Sequence, residues 1–591
     1  MESDDPARLM RRAFPLHQSG DIAAAEALYR RILAIAPEDP DAQYLLGCIA
    51  QQRGELDEAL RRVGAAIRSN ATEPEFHRTL ASIFVSMDRW REAADCWRRA
   101  LDLDPGNSQD WHKLGRTLRE MGETEEARGC FDRALAADPD SAQALLGAAL
   151  ICRDLGMIEE SIALFRRARA SAPDDIGILS AYLFTLNLST RMTRPEIFSE
   201  HLECERLVGA GSALQRPAAR VRADGDRLRI GYLSPDFRNH VLSLFIEPVL
   251  AYHDRARFEI HCYYLHERRD GVSDRLAKLS EYWVDCAKMS DAEIAQCIAH
   301  DGIDILVDLA GHTDWNRIPV LARRPAAVLA TWLGYLNTTG LRAVDYRITD
   351  RHTDPPGSTE RFHTETLIRL PESQWCRLRP APSVAAAPPR TAPAGAVRFG
   401  SFNKSSKLTP DALRVWSRVL LRVPRSTLLF ADVEDSRRAA IRDAFRAFGV
   451  GAERLEFAGR MPYEEFLMLH HRADVALDAY PYSGATTTLD SLWMGVPVLT
   501  LAGDAPISRS TASILATLGL QDWIARSADE FVEIAVRLAA DPEPLAALRS
   551  GLRARLEGSI LMDGARFTGQ LEELYRRMWH ERGKTRLEVS P

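Results

Sequence analysis

Two lysines, a threonine cluster and a histidine carry the strongest chemical signal in this chain. Of its 76 basic residues only six are lysine, and two of those, Lys404 and Lys407, share the stretch SFNKSSKLTP with Asn403. A chain that otherwise uses arginine keeps two compact ammonium groups there, suited to neutralising a point of negative charge. Further on, PYSGATTTLDSLWMGVPVLT (481–500) follows the apolar run ADVALDA (473–479). The pattern predicts a short buried strand, a turn at Gly484, a helix from Thr486 and Thr487 through Asp490 to Met494, and a second buried strand after Gly495 and Pro497. Free N–H groups at such a helix start, with the positive end of its dipole, bind phosphate well. The same threonines could equally do no more than cap the helix. In the other half, His240 lies in SPDFRNHVLSLF just after the apolar run LRIGYLS. His312 and Thr313 lie in GHTDWNR, and Asn337, Thr338, Thr339 and Gly340 form a loop in GYLNTTGL. A histidine at one strand end is more often structural; the case for function rests on convergence of the two sets. Anion binding fits the lysine and threonine side, and proton transfer or acceptor alignment fits His240. Paired D-x-D carboxylates occur only in the repeats and at the VRADGDR boundary (Asp102/Asp104, Asp138/Asp140 and Asp224/Asp226, for example), so no metal is expected at the site.

These residues need two α/β scaffolds to bring them together. LRIGYLS, FEIHCYYL, DILVDLAG and ATWLGYL alternate with helical stretches, and so do VRFGSFN, STLLFAD, RLEFAG, DVALDAY and VPVLTLAG. Between the series lies RLRPAPSVAAAPPRTAPAGA, a proline- and alanine-rich linker. Two Rossmann-like lobes are expected, at 227–378 and 397–582 with the linker at 379–396, binding ligand at the carboxyl ends of their strands. A closing helix from Phe567 to Trp579 has the length and stripe to pack back across the interface.

The first part of the chain repeats with a 34-residue period. Small residues recur at Ala13, Gly47, Ala81, Gly115 and Ala149, and again at Ala25, Ala59, Ala93, Ala127 and Ser161. Glycine separates the helices of most units (Gly20, Gly54, Gly122, Gly156), and Pro37, Pro105, Pro139 and Pro173 close four of them. Five copies in register, over 6–175, are the tetratricopeptide pattern of an α-helical solenoid. Its concave face commonly holds an extended peptide, although the array could instead dimerise the protein or space its domains. Residues 176–226 keep helical patterning without the period, and VRADGDR marks the boundary to the first lobe.

Composition excludes several classes. A net charge of −7 gives no reason to expect nucleic acid, and no apolar run reaches the length of a membrane span. Nine cysteines without a C-x-x-C pair argue against a zinc site or a disulfide framework. The acidic start MESDDPARLMRR has no apolar signal region, so a cytoplasmic, soluble protein is expected.

With these residues together, the chain resembles the O-linked N-acetylglucosamine transferases and their SPINDLY-type relatives along nearly its whole length. The matching stretches are SPDFRNH, GHT, RPAAVLATWLGYLNTTGL, DYRITD followed by DPP, FNKSSKLTP, GATTTLDSLWMGVPVLT and LEELYRRMW. The resemblance implies repeats joined to a two-lobed glycosyltransferase of the B fold, inverting and metal-independent, with no cofactor beyond its nucleotide-sugar donor. It implies a protein acceptor held by the repeats and modified on Ser or Thr. By position it places His240 near the acceptor hydroxyl, Lys407 on the diphosphate, Thr486 and Thr487 on the phosphates, Asp490 on the ribose, and Asn337 to Gly340 beside the sugar. The sequence departs from the N-acetylglucosamine branch at Lys404 (glutamine there), Ala485 (histidine) and Phe466 (histidine). GHT and NTTGL resemble the SPINDLY branch more closely, so UDP-N-acetylglucosamine and GDP-fucose are both open as donors. A repeat scaffold with an inactive transferase region is the competing reading, and transfer to asparagine a third.

Overall fold

The computed structural model describes residues 5–209, 226–380, 384–386 and 396–582. They form two compact units, one running to Leu155 and taking in Ala163–Pro173, the other taking Gly156–Ile162 and what is described from Asp174 onward.

In the first unit, helices follow the 34-residue period in pairs, beginning with Pro6–Gln18 and Ile22–Ile35. The recurring small residues sit where paired helices touch. Ala13, Ala25, Ala59, Ala81, Ala93 and Ala127 are wholly buried. A Cβ on Gly47 would meet Val63 Cγ2 at 2.6 Å, so this crossing requires glycine. Gly20, Gly54 and Gly122 turn between helices at φ 86°, 77° and 80°. The third repeat lacks that glycine, and Asp88 takes the left-handed conformation instead, at φ 56°; a short polar side chain tolerates it.

The second unit continues with helices Ile176–Leu186 and Arg194–Cys204 and a short π-helix, Glu205–Gly209. Most of the VRADGDR boundary, Asp224 included, lies outside the described residues. Seven strands then build a parallel sheet: β1 (Leu228–Ser234), β2 (Phe258–Tyr264), β3 (Tyr282–Asp285), β4 (Ile305–Asp308), β5 (Val328–Thr331), β6 (Tyr346–Asp350) and β7 (Thr366–Leu370). Their order is β3-β2-β1-β4-β5-β6-β7, with Leu228 opposite Phe258 and Ile230 opposite Ile305. A second parallel sheet follows: β8 (Arg398–Ser401), β9 (Thr427–Phe430), β10 (Leu455–Phe457), β11 (Val475–Leu477), β12 (Val498–Leu501) and β13 (Ile524–Ala525), ordered β10-β9-β8-β11-β12-β13. Each sheet reverses direction beside its first strand, β1 or β8. Sheets of this kind bind ligands at the carboxyl ends beside such a reversal, where both charged loops begin.

Sequence and structure differ in places. The expected strand over ATWLGYL stops at Thr331. Leu333 then turns at φ 75°, and Gly334 lies so close to the Leu309 carbonyl that a Cβ would sit 1.9 Å from its oxygen. Strand β3 was not anticipated, because YWVD is a short, half-exposed edge with no clear alternation. Within the linker, residues 381–383 and 387–395 lie outside the described set. Val384 between them is buried, and its carbonyl accepts from Arg553 Nη2 at 3.1 Å.

The last helix, Gly564–Glu581, leaves the second lobe and packs on the first. Tyr575 and Tyr232 share a hydroxyl hydrogen bond at 3.0 Å, Glu572 Oε1 lies 2.9 Å from His253 Nδ1, and the Phe567 ring stacks on Trp332.

Candidate active site

The helix Thr486–Trp493 begins without a side-chain cap, its N-cap position being Ala485. The threonine hydroxyls are used differently. Thr487 donates to Asn403 Oδ1 at 3.2 Å, and Thr488 pairs with Thr511 at 2.7 Å. Thr486 Oγ1 has no hydrogen-bond partner among the described residues. The capping reading of this cluster therefore fails: the first-turn amides are left for something else.

A buried carboxylate that the sequence reading passed over, Asp478, organises this end of β11. It accepts from the Gly484 amide at 2.8 Å, from Thr500 Oγ1 at 2.7 Å and from Asn403 Nδ2 at 3.3 Å. Burial raises its pKa, opposed by Thr511, Thr500, the Gly484 amide and the charge of Lys407. A Cβ on Gly484 would meet Thr487 Oγ1 at 2.5 Å, so glycine is needed for the loop to close on the helix. Lys407 donates from Nζ to the Ser483 carbonyl at 3.0 Å and lies 3.9 Å from the Tyr482 ring centroid. Desolvation brings its pKa down to about 8, with Asp478 opposing and the charge of Lys404 adding to the fall. Lys404 is exposed at the start of the 3₁₀ turn Ser405–Lys407. Lysine, threonines and free amides thus meet at one point, backed by a carboxylate.

On the first lobe, the loop after β1 is pinned by Ser243, whose hydroxyl contacts the carbonyls of Asp236 (2.9 Å) and Arg238 (2.7 Å), and by the Asn239 amide on Asp270 (2.7 Å). It presents His240, 38% exposed. The Leu242 amide lies 3.3 Å from its Nδ1, which accepts, so the neutral ring carries its proton on Nε2. Desolvation, with Arg238 and Lys404 adding, lowers its pKa to about 4. The charge of a second-lobe lysine is therefore felt at a first-lobe histidine. Asp236 Oδ2 stands 3.6 Å from His240 Nδ1, and burial raises the Asp236 carboxyl to about 6.

The other expected site residues are placed differently. His312 is buried with both nitrogens engaged, Nδ1 with Ser180 Oγ at 3.0 Å and Nε2 with the Thr339 carbonyl at 2.8 Å. Thr313 bonds the Ala310 carbonyl at 2.9 Å. In the NTTG loop, Asn337 Nδ2 donates to Asn187 at 2.8 Å, Thr338 Oγ1 to Glu365 Oε2 at 2.7 Å, and the Thr339 amide to Glu365 Oε1 at 2.7 Å. Gly340 has φ 75°, and a Cβ there would lie 2.0 Å from the His201 carbonyl oxygen. His312, Thr338 and Thr339 thus spend their polar groups on the framework, and the loop is shaped rather than exposed. Asp490 is buried too: its Oδ1 accepts from Arg377 Nη1 at 2.6 Å and from the Tyr463 hydroxyl at 2.7 Å. Phe466 packs edge-on against Phe402 and His470.

The family model described as "Glycosyl transferase family 41" matches residues 191–376 and 383–571, so it spans both lobes and every site residue above. The chain belongs to glycosyl transferase family 41. Two tetratricopeptide-repeat models match residues 16–83 and 112–176. A solved Thermobaculum terrenum O-GlcNAc transferase mutant is 36% identical with a TM-score of 0.80, covering 86% of this chain and 98% of its own. A Petunia hybrida protein named as probable UDP-N-acetylglucosamine–peptide N-acetylglucosaminyltransferase SPINDLY is 40% identical over 364 residues, covering 60% of this chain. A Caenorhabditis elegans UDP-N-acetylglucosamine–peptide N-acetylglucosaminyltransferase is 27% identical over 473 residues. The family-41 chain spans only about two fifths of the length of these curated relatives (39% and 41%). Its repeats and two parallel-sheet lobes are the fold expected from the sequence. No helix among the described residues is long and apolar enough to cross a membrane.

Proposed function

We propose that this protein is an inverting, metal-independent O-glycosyltransferase that moves one sugar, N-acetylglucosamine from UDP-N-acetylglucosamine, to Ser or Thr of a protein acceptor. The observation that carries this is the uncapped start of Thr486–Trp493 beside Lys407, with His240 on the opposite lobe. The diphosphate takes the amides and hydroxyls of Thr486 and Thr487, and Lys407 and Lys404 offset the charge that grows as it leaves. The acceptor oxygen attacks the anomeric carbon, the bond to the phosphate oxygen breaks, and the nucleoside diphosphate departs with the electron pair. His240, neutral and carrying its proton on Nε2, aligns an oxygen by donating to it. Asp236, raised to about 6, has the greater affinity for the hydroxyl's proton. The relatives' names support UDP-N-acetylglucosamine. Lys404, Ala485 and the GHT and NTTG stretches favour a second reading, in which GDP-fucose is the donor. The repeats supply the acceptor groove, and a cytoplasmic enzyme, with the repeats also available for homodimer contacts, completes the picture.

Purified protein is incubated with each donor separately and the released nucleotide and modified acceptor are weighed, with and without excess EDTA. Release of UDP and gain of one N-acetylhexosamine, unchanged by EDTA, is the expected result. Release of GDP alone selects the second reading. Release of neither from a folded protein makes the transferase region a scaffold, and loss with EDTA restored by Mg²⁺ overturns metal independence.

A further inference from the structure

A cavity of about 1220 Å³ has none of His240, Lys407 and Thr486 in its lining. Its walls come from the helix Arg194–Cys204, the first lobe at Asn337 and Arg361, and the second lobe at Asp411–Arg418, Tyr480–Pro481, Leu501–Arg509 and Arg526. Six arginines line it against three aspartates. Arg414 pairs with Asp411 at 2.9 Å and Arg418 with Asp529 at 2.5 Å. The other four, Arg194, Arg361, Arg509 and Arg526, have no carboxylate within ion-pair distance among the described residues.

Arg194 is the most deeply set, at 8% exposure. Its Nη1 donates to the Asp504 carbonyl, its guanidinium lies 4.8 Å from the Phe362 ring centroid, and its Nη2 has no hydrogen-bond partner. Arg361 lies on the same ring at 4.7 Å. Arg509 donates to the carbonyls of His352 (2.8 Å) and Gly503 (2.9 Å). Burial holds the pKa of Arg194 and Arg509 below the usual arginine range, with Asp504 and Asp354 opposing from beyond ion-pair distance, while carbonyl dipoles and a ring face orient the forks. Converging guanidiniums held this way are complementary to phosphate oxygens.

We propose that this cavity binds a multiply phosphorylated anion at a site distinct from the donor cleft. The volume exceeds what one phosphate fills. The four cations come from four separate segments that line one cavity, which suits a compact polyanion over an extended acidic peptide. Occupancy also reaches the cleft. Tyr480, Pro481 and Asp478 form part of the wall, and Asp478 holds the Gly484 amide ahead of Thr486.

The test is calorimetric titration of inorganic pyrophosphate and inositol hexakisphosphate into the full chain carrying Lys407→Ala, which weakens the donor cleft as a competing phosphate site. Hexakisphosphate is expected to bind saturably and more tightly than pyrophosphate. Arg361 and Arg526 are exposed, so Arg361→Gln with Arg526→Gln should fold normally by circular dichroism, and should weaken hexakisphosphate binding at least ~10-fold. Arg194→Gln should weaken it similarly. UDP titrated into the double variant with Lys407 intact should bind as it does to the unaltered chain, which separates failure here from failure of the transferase reading. No saturable hexakisphosphate binding, equal affinity in the folded double variant, or preference for an oligoglutamate peptide over both phosphates would overturn the assignment.

Discussion

Arg377 and Asp490 form an ion pair at 2.6 Å with both side chains 2% exposed or less, and Tyr463 completes it by donating to the same carboxylate oxygen. Arg377 precedes the linker and Asp490 lies in the second-lobe helix Thr486–Trp493, so the pair fastens that helix to the incoming chain. Arg377→Met should cost roughly 3–5 kcal/mol of unfolding free energy, because a buried carboxylate loses its cation. Urea denaturation checks this; a loss under about 1 kcal/mol would mean that the carboxylate finds water. If Asp490 also holds a ribose, Asp490→Asn should raise the donor KM more than it lowers kcat.

Lys407→Ala should leave the fold intact and reduce kcat ~10²-fold or more, the scale for losing one charge-stabilising donor. Its ammonium, brought down to about 8, is charged below that pH and neutral above it. The kcat/KM profile should therefore fall on the alkaline side near pH 8, and Lys407→Arg should move that limb upward. Near-normal turnover of the alanine variant would assign the charge to Lys404 or the helix start instead.

The acid side distinguishes Asp236 from His240. If Asp236 receives the proton, kcat/KM should fall as pH drops through about 6, where its carboxylate protonates. Asp236→Asn should lose activity and that limb together. A limb near 4 that survives the substitution would assign proton transfer to His240.

Gly340→Ala should destabilise through both a left-handed φ and contact with the His201 carbonyl. The conformation alone costs ~1–2 kcal/mol, and the carbonyl belongs to His201, wholly buried on the inner face of its helix, so it cannot yield cheaply. Thermal unfolding measures it; an unchanged midpoint would show that the loop relaxes.

Removing the first three repeats, with a polar capping helix added, should leave donor hydrolysis nearly normal and transfer to whole proteins much weaker. Transfer to a short peptide should fall less. Equal modification of whole proteins by the truncated enzyme would make the array a spacer.

What was legible in the sequence was local. The repeat register shows because each unit's small residues and glycines recur at fixed spacing, and the charged loops show because they follow apolar runs. The bonding of the loops was not legible, because it depends on partners far along the chain. His312 looked available until Ser180, 132 residues earlier, closed one nitrogen. Asp490 looked open until Arg377, 113 residues earlier, took it. Asp478 was hidden inside an apolar run, where only the fold reveals three donors converging on it. The threonine cluster had two readings because hydroxyl direction is decided by Asn403 and Thr511, both distant in sequence.

The final helix also sets an order of events during synthesis. Tyr232 must wait for Tyr575, 343 residues later, and His253 for Glu572, 319 residues later. The first lobe therefore leaves the ribosome with a polar network half made and Trp332 without the Phe567 ring that stacks on it. It cannot seal until the helix Gly564–Glu581 has emerged. Loss of the chain from Gly564 onward would leave the first lobe unsealed even with every strand of the second lobe made.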